Sequence, residues 1–324
     1  VNPSHEIGGF WIRPKPPFRL DLTVWALRRL PINQMDHWEG GTYRRVVVID
    51  RNAVGVSVRQ HGDLENPRLR VTLTGQEEDA APLTGSASAA KARLYESVRL
   101  ELSKLLGLEV NLSPFCRLAS ADEHAGPLVR RFAGLKPPRF PTVFEAVVNG
   151  VACQQLSLNV GIHLLNRLSF AYGRACGGAQ GFPRPQDLAA VDPGHLRSLG
   201  FSMRKAANIL AIAEAVTSGR LDLEDLVNVD DDVAVTRLEE LKGIGRWTAQ
   251  YVALRGLGRL NVFPADDVGS QNKVQHWLSL DSRPGYDQVL RLLDRFDPYR
   301  GLIYFYLLLA RLADDGFLVR ASMR

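Results

Sequence analysis

The chain has 324 residues, of which 45% are hydrophobic and 23% charged, a mixture that suits packed globular structure and excludes disordered, collagen-like and coiled-coil proteins. Its net charge of +5 is a mild pointer to a polyanionic partner. The longest apolar run, Leu302 to Ala310, is about half of what a bilayer needs and the N-terminus has no secretory pattern, so a cytoplasmic protein with no membrane contact is expected, nucleoid-associated in a bacterium.

After a Pro-rich start (Pro14, Pro16, Pro17), the segments Thr42 to Ile49, Val54 to Gln60 and Arg68 to Gly75 are rich in Val, Thr and Arg. Asp50, Arg51 and Asn52 read as a turn between the first two, so the first third predicts an antiparallel sheet. Residues 76 to 90 are small and polar, and Leu94, Val98, Leu102 and Leu105 then repeat at helical spacing as far as Gly107.

From about Ser113 strand signals nearly vanish. Helices are predicted at Thr142 to Gln155, Leu158 to Tyr172, Pro185 to Val191, Met203 to Ser218, Asp231 to Leu241, Arg246 to Gly256, Asp267 to Ser279, Tyr286 to Phe296 and Arg300 to Ala313. The predicted fold class is therefore α+β: a small antiparallel sheet domain with one helix over residues 1–110, then an all-helical domain over residues 111–324. No solenoid-type repeat is present.

Cys116, Cys153 and Cys176 are odd in number and scattered, which argues against a disulfide framework. No Cys follows Cys176, so a C-terminal four-Cys iron–sulfur cluster is excluded, and the seven His show no zinc-type spacing. No metal of that kind is expected. The positive charge is local: Leu128 to Arg139 and Lys242 to Arg259 each carry four Lys or Arg and no acid. Either segment suits phosphate contacts, or simply a solvated surface.

The sharpest motif runs from Leu238 to Ala249, where an apolar-periodic helix enters Gly243-Ile244-Gly245 and a second helix begins at once. Glycine at both outer positions lets the backbone take φ > 0 and approach another chain closely, while Ile244 can plug the gap between the helices. Backbone N–H groups at the start of the second helix form an anion site that contacts phosphate without reading sequence. A plain tight turn between packed helices would use the same three residues.

The string LKGIGRWTAQYVALRG, followed by VFPADDVG, resembles the helix-hairpin-helix superfamily of DNA glycosylases and, within it, the 3-methyladenine DNA glycosylase II family. The likeness covers most of residues 111 to 313, including LVRRFAGLKPPR, FEAVVNGVACQQLSL and GFSMRKAA. It extends more weakly to the first domain through Phe18-Arg19-Leu20 and WEGGTYRR. It implies a helical glycosylase domain that grips double-stranded DNA containing damaged bases, with the backbone of Gly243, Ile244, Gly245, Arg246 and Thr248 on phosphate.

The resemblance puts the catalytic carboxylate at Asp267, with Asp266 as its rival, and either could be only a helix N-cap. After Pro264 at a helix start, Asp267 would place its charge at the positive end of the helix dipole. There it could stabilise an oxocarbenium-like sugar and orient water. Relatives that also cleave the strand carry a nucleophilic Lys directly before the Thr-Ala of the hairpin. Here that position is Trp247, so no lyase activity is expected. Trp247 and Tyr251, at i and i+4, would line the base pocket and stack on a cationic alkylated purine. The family's further pocket aromatic on the last helix falls at Leu308, with Tyr304 and Tyr306 nearby. In Gln154-Gln155-Leu156-Ser157, Leu156 would enter the stack as an intercalating wedge, flanked by Gln155, unless it is core.

The expected function is monofunctional excision of alkylated purines of the 3-methyladenine and 7-methylguanine type. The alternatives are a glycosylase for a neutral base of the 8-oxoguanine type, or a non-catalytic helix-hairpin-helix DNA-binding protein. No organic cofactor is expected, and Na+ or K+ could bridge the hairpin carbonyls of Leu241 and Gly243 to a phosphate. A monomer is expected.

Overall fold

The computed structural model describes residues 4–49, 52–76 and 87–318. The N-terminal part is a five-stranded antiparallel sheet of β1 (Ser4–Ile12), β2 (His37–Glu39), β3 (Thr42–Ile49), β4 (Asn52–His61) and β5 (Arg68–Gln76), in the order β1-β5-β4-β3-β2. Strand alternation turns Val54, Val56 and Val58 inward beside Leu69, Val71 and Leu73, with Val56 paired to Leu73 and Val58 to Val71. Helix α2 (Ala87–Leu105) closes this face with Val98, Leu102 and Leu105. Of the turn read at Asp50, Arg51 and Asn52, the first two lie outside the described residues, and Asn52 already pairs with Ile49. Most of the polar stretch 76–90 also lies outside them.

Three N-terminal elements go beyond the predicted ones, β1, α1 and the short edge strand β2. Strand β1 breaks its alternation at a bulge between Glu6 and Gly8, which hides it from a period-two reading. Helix α1 (Leu20–Arg28) is buried at Leu20, Leu22, Val24, Ala26 and Leu27, so it shows no polar face.

The rest is helical: α3 (Ser113–Ser120), α4 (Ala125–Arg131), α5 (Val143–Cys153), α6 (Leu158–Tyr172), α7 (Pro185–Leu188), α8 (Pro193–Ser198), α9 (Met203–Thr217), α10 (Asp231–Glu239), α11 (Arg246–Val252), α12 (Val268–Trp277), α13 (Tyr286–Leu293) and α14 (Arg300–Asp314). A short hairpin, β6 (Ala175–Cys176) and β7 (Ala179–Gln180), interrupts them. Thr142, Ser157 and Ser202 cap α5, α6 and α9 by accepting from the amides of Glu145, Val160 and Lys205. The helix expected to reach Gly256 is α-helical only to Val252, then widens into a π turn over Ala253–Leu257. Gly258, at φ 75, stops it in the left-handed region.

The hydrophobic clusters do not divide at residue 110. One joins the inner sheet face and α2 to α5, α6 and α9. The other joins Leu22 and Ala26 of α1 to α3, α4, α12, α13 and α14. A buried ion cluster also crosses from sheet to helices: Arg45 of β3 reaches Asp36 at 2.7 Å and Glu145 of α5 at 2.6 Å. Burial pushes the Glu145 carboxyl up to about 6, against the pull of Arg45 and with the help of Asp36.

Candidate active site

The hairpin between α10 and α11 is held by its two glycines for different reasons. Gly243 sits at φ 86, and an ideal Cβ there would lie 1.8 Å from Asn208 Nδ2 of α9, so both conformation and space demand glycine. Gly245 is extended, at φ −102, and a Cβ there would meet nothing within 4 Å. Internal packing therefore gives no reason for glycine at 245. Ile244 is buried in the core beneath them. The Leu241 and Gly243 carbonyls each accept one hydrogen bond, from Ile244 N–H at 2.9 Å and Gln154 Nε2 at 2.9 Å. A second lone pair on each remains compatible with a monovalent cation.

Gln154 also donates to Thr248 Oγ1 at 2.8 Å, tying the junction between α5 and α6 to the hairpin. The Thr248 side chain is thus buried and occupied. Beyond Gln154 the chain turns at Gln155, at φ 55, and Leu156 projects with 43% of its surface exposed. Leu156 is not core. Lys205 fixes the turn from below, donating to the carbonyls of Ala152 at 3.1 Å and Gln154 at 2.7 Å, the open C-terminal end of α5.

Asp266 and Asp267 have separate environments. Asp266 pairs with Arg246, with Nη2 at 3.1 Å from Oδ1, and that guanidinium lies 3.9 Å over the Tyr286 ring. Arg246 thus carries its own counter-ion. Asp267 caps α12: its Oδ2 accepts from Ser270 N–H at 2.9 Å and Ser270 Oγ at 2.7 Å, and its Oδ1 from Gly269 N–H at 3.3 Å. Its charge is held by helix amides and the Ser270 hydroxyl, and the Lys273 ammonium of α12 is close enough to feel it.

Trp247 and Tyr251 stack with ring centroids 5.6 Å apart and planes inclined by 24°. Behind them stands Arg29, the residue that ends α1, which the sequence reading did not single out. It is 2% exposed, adopts φ 66, and donates to Tyr251 Oη at 2.8 Å and Asn149 Oδ1 at 2.6 Å. Burial lowers the Lys273 amine and raises the Tyr251 and Tyr304 phenols.

One cleft of about 1040 Å³ brings together Asp267, Asp266, Trp247, Tyr251, Gln155, Leu156 and the hairpin residues 243–248. Arg29, Lys205 and Lys273 line it as well. On α14, Tyr304 and Leu308 face it one turn apart, while Tyr306 turns away to pack on Phe115, 5.5 Å between ring centroids. Among the α14 tyrosines weighed from sequence, Tyr304 is the one that reaches the cleft. Arg29 could not be found by spacing, because it lies over 200 residues from its Tyr251 partner and nothing local marks it.

Residues 148–298 match the family model of the HhH-GPD superfamily base excision DNA repair proteins. A putative DNA-3-methyladenine glycosylase of Bacillus subtilis is 30% identical over 297 residues, covering 90% of this chain and 95% of that protein. The chain belongs to the HhH-GPD superfamily of base excision DNA repair proteins. Within the HhH-GPD proteins, the 3-methyladenine DNA glycosylase of Archaeoglobus fulgidus superposes with a TM-score of 0.77 at 29% identity, covering 96% of this chain and all of that one. An 8-oxoguanine glycosylase/lyase of Clostridium acetobutylicum in complex with DNA shares the HhH-GPD fold, with a TM-score of 0.72, 16% identity and coverage of 96% of this chain and 98% of that one.

Proposed function

We propose that this protein is a monofunctional DNA glycosylase that hydrolyses the N-glycosidic bond of alkylated purines in double-stranded DNA and leaves an abasic site. The observation that carries the reading is the placement of Asp267, held by Ser270 and Gly269, in the same cleft as the stacked Trp247–Tyr251 pair and the projecting Leu156.

An alkylated purine carries positive charge and departs readily, so the main demand is stabilisation of the positive charge growing on the sugar. A fixed carboxylate at Asp267, held by Ser270 and Gly269, supplies this without moving a proton and can orient the attacking water. The Trp247–Tyr251 stack offers π-faces to the extruded base. Leu156, already exposed, fills the space the nucleotide leaves. The backbone around Gly243, Gly245, Arg246 and Thr248 holds phosphate, and Na+ or K+ on the Leu241 and Gly243 carbonyls would add to that grip. With Trp247 where lyases carry an amine, no strand cleavage is expected. The protein acts as a monomer in the cytoplasm, on the nucleoid in a bacterium.

The test is incubation with methylated duplex DNA, scoring released base by chromatography and strand breaks by gel before and after alkali. Free 3-methyladenine and 7-methylguanine with breaks only after alkali support the reading. No released base would leave a binding module instead.

A further inference from the structure

The solvent face of the N-terminal sheet carries a second basic and aromatic surface, and none of its residues lines the cleft. The register places Trp11 of β1 opposite Arg70 of β5, Arg70 opposite Arg59 of β4, and Arg59 opposite Thr42 of β3. In the adjoining row His61 pairs with Arg68. Trp11 is 45% exposed, with the guanidinium carbons of Arg68 and Arg70 at 5.7 and 5.6 Å from its ring centre and the His61 ring at 5.1 Å.

Among the described residues, Arg59, Arg68 and Arg70 form no ion pair. The row ends opposite Thr42 on Glu39 of β2, which pairs with Arg44 at 3.6 Å, and the acids nearest in sequence lie in the β4–β5 turn, where Asp63 accepts from the amides of Glu65 and Asn66. Like charges directly opposite on a sheet are destabilising, and an exposed indole contributes little to the core. The contacts of Arg68 and Arg70 with the Trp11 ring and the bond from Arg59 to the Gly40 carbonyl at 3.0 Å offset part of that cost within the sheet, and a bound polyanion would offset the rest.

We propose that this face binds single-stranded DNA, with phosphates on Arg59, Arg68 and Arg70 and an unpaired base stacked on Trp11. The indole decides between polyanions: base faces inside a duplex are already stacked and an acidic peptide has none, but an unpaired strand offers them freely. Neighbouring strands lie about 4.8 Å apart, so Trp11 and Arg59 stand within reach of consecutive nucleotides.

The experiment uses the full chain with its cleft saturated by an unlabelled duplex containing an abasic analogue, titrated with fluorescein-labelled oligo-dT. A ternary complex is expected, weakening as salt rises. Trp11→Ala and the double variant Arg59→Glu/Arg70→Glu should each weaken oligo-dT binding about tenfold or more. The double variant should also flatten the log–log salt slope by about 0.7 per lost arginine contact. Base release from a short duplex should be unchanged in both, which separates this surface from the cleft. Competition between oligo-dT and duplex for one site, unchanged affinity in both variants, or equally tight binding of blunt duplex or polyglutamate to this face would each overturn the proposal.

Discussion

Ser270 gives Asp267 both its backbone N–H and its hydroxyl, at 2.9 and 2.7 Å, and both bonds fall on the same carboxylate oxygen. The other oxygen, Oδ1, holds only the longer 3.3 Å contact from Gly269. The carboxylate is thus anchored through one oxygen and offers the other. Asp267→Asn keeps a capping oxygen and removes the charge. It should leave folding and DNA binding nearly intact and slow single-turnover base release by about 100-fold or more, about 2.7 kcal/mol. Asp266→Asn breaks a part-exposed pair with Arg246 and should cost at most about 1 kcal/mol of stability with little loss of rate. A dead Asp266 variant beside a normal Asp267 variant would move the catalytic role one residue back.

The two hairpin glycines should separate cleanly. Gly243→Ala drives a Cβ into Asn208 and forces a left-handed backbone on alanine, so a loss of about 1–3 kcal/mol in urea unfolding is expected. Gly245→Val meets open space and should melt like wild type, yet bind every DNA sequence more weakly. Normal DNA affinity in Gly245→Val would make the hairpin a packing turn.

Leu156→Ala removes a side chain already 43% exposed, so thermal stability should hardly move. Excision should slow more on a paired lesion than on one opposite a gap, because extrusion costs a few kcal/mol in an intact duplex. Equal slowing on both substrates would remove the wedge role.

Glu145 links pH to stability. Its carboxyl, ordinarily near 4.5, is pushed up to about 6 by burial, so the folded state holds its proton more tightly than the unfolded chain. That contribution is fully present below about pH 4.5 and is lost as pH rises through about 6, on the order of 2 kcal/mol at 1.36 kcal/mol per unit. Urea unfolding of wild type and Glu145→Gln at several pH values between 4.5 and 7 should show the wild-type curve falling relative to the variant. Parallel curves would mean that Arg45 holds Glu145 ionised throughout.

What could be read in advance were features written in local periodicity or punctuation. Leu158–Tyr172 emerges with the predicted ends because Ser157 caps it and Gly173 follows it. The hairpin emerges because two glycines and a buried isoleucine leave few alternatives. The unread parts depend on distant partners. Helix α1 has no polar stripe because it packs on several sides, and Arg29 matters only through Tyr251 and Asn149. Lys273 reaches the cleft through the packing of α12 on α14, which no spacing announces.

The π turn after α11 aims Arg255 into the body of the protein, where its guanidinium donates to the Ala26 and Leu27 carbonyls at 2.8 and 3.1 Å. Those carbonyls lie in the last turn of α1, which ends at Arg28 and is followed by Arg29. The hairpin helix thus grips the very segment that backs the Trp247–Tyr251 stack. A chimera between relatives that exchanges residues 1–110 as a block would replace the α1 carbonyls to which Arg255 donates. Moving α1 to the helical side of such a junction would not spare the sheet, because β1 precedes α1 and pairs with β5, so one cut in the chain cannot part the strands from the helices.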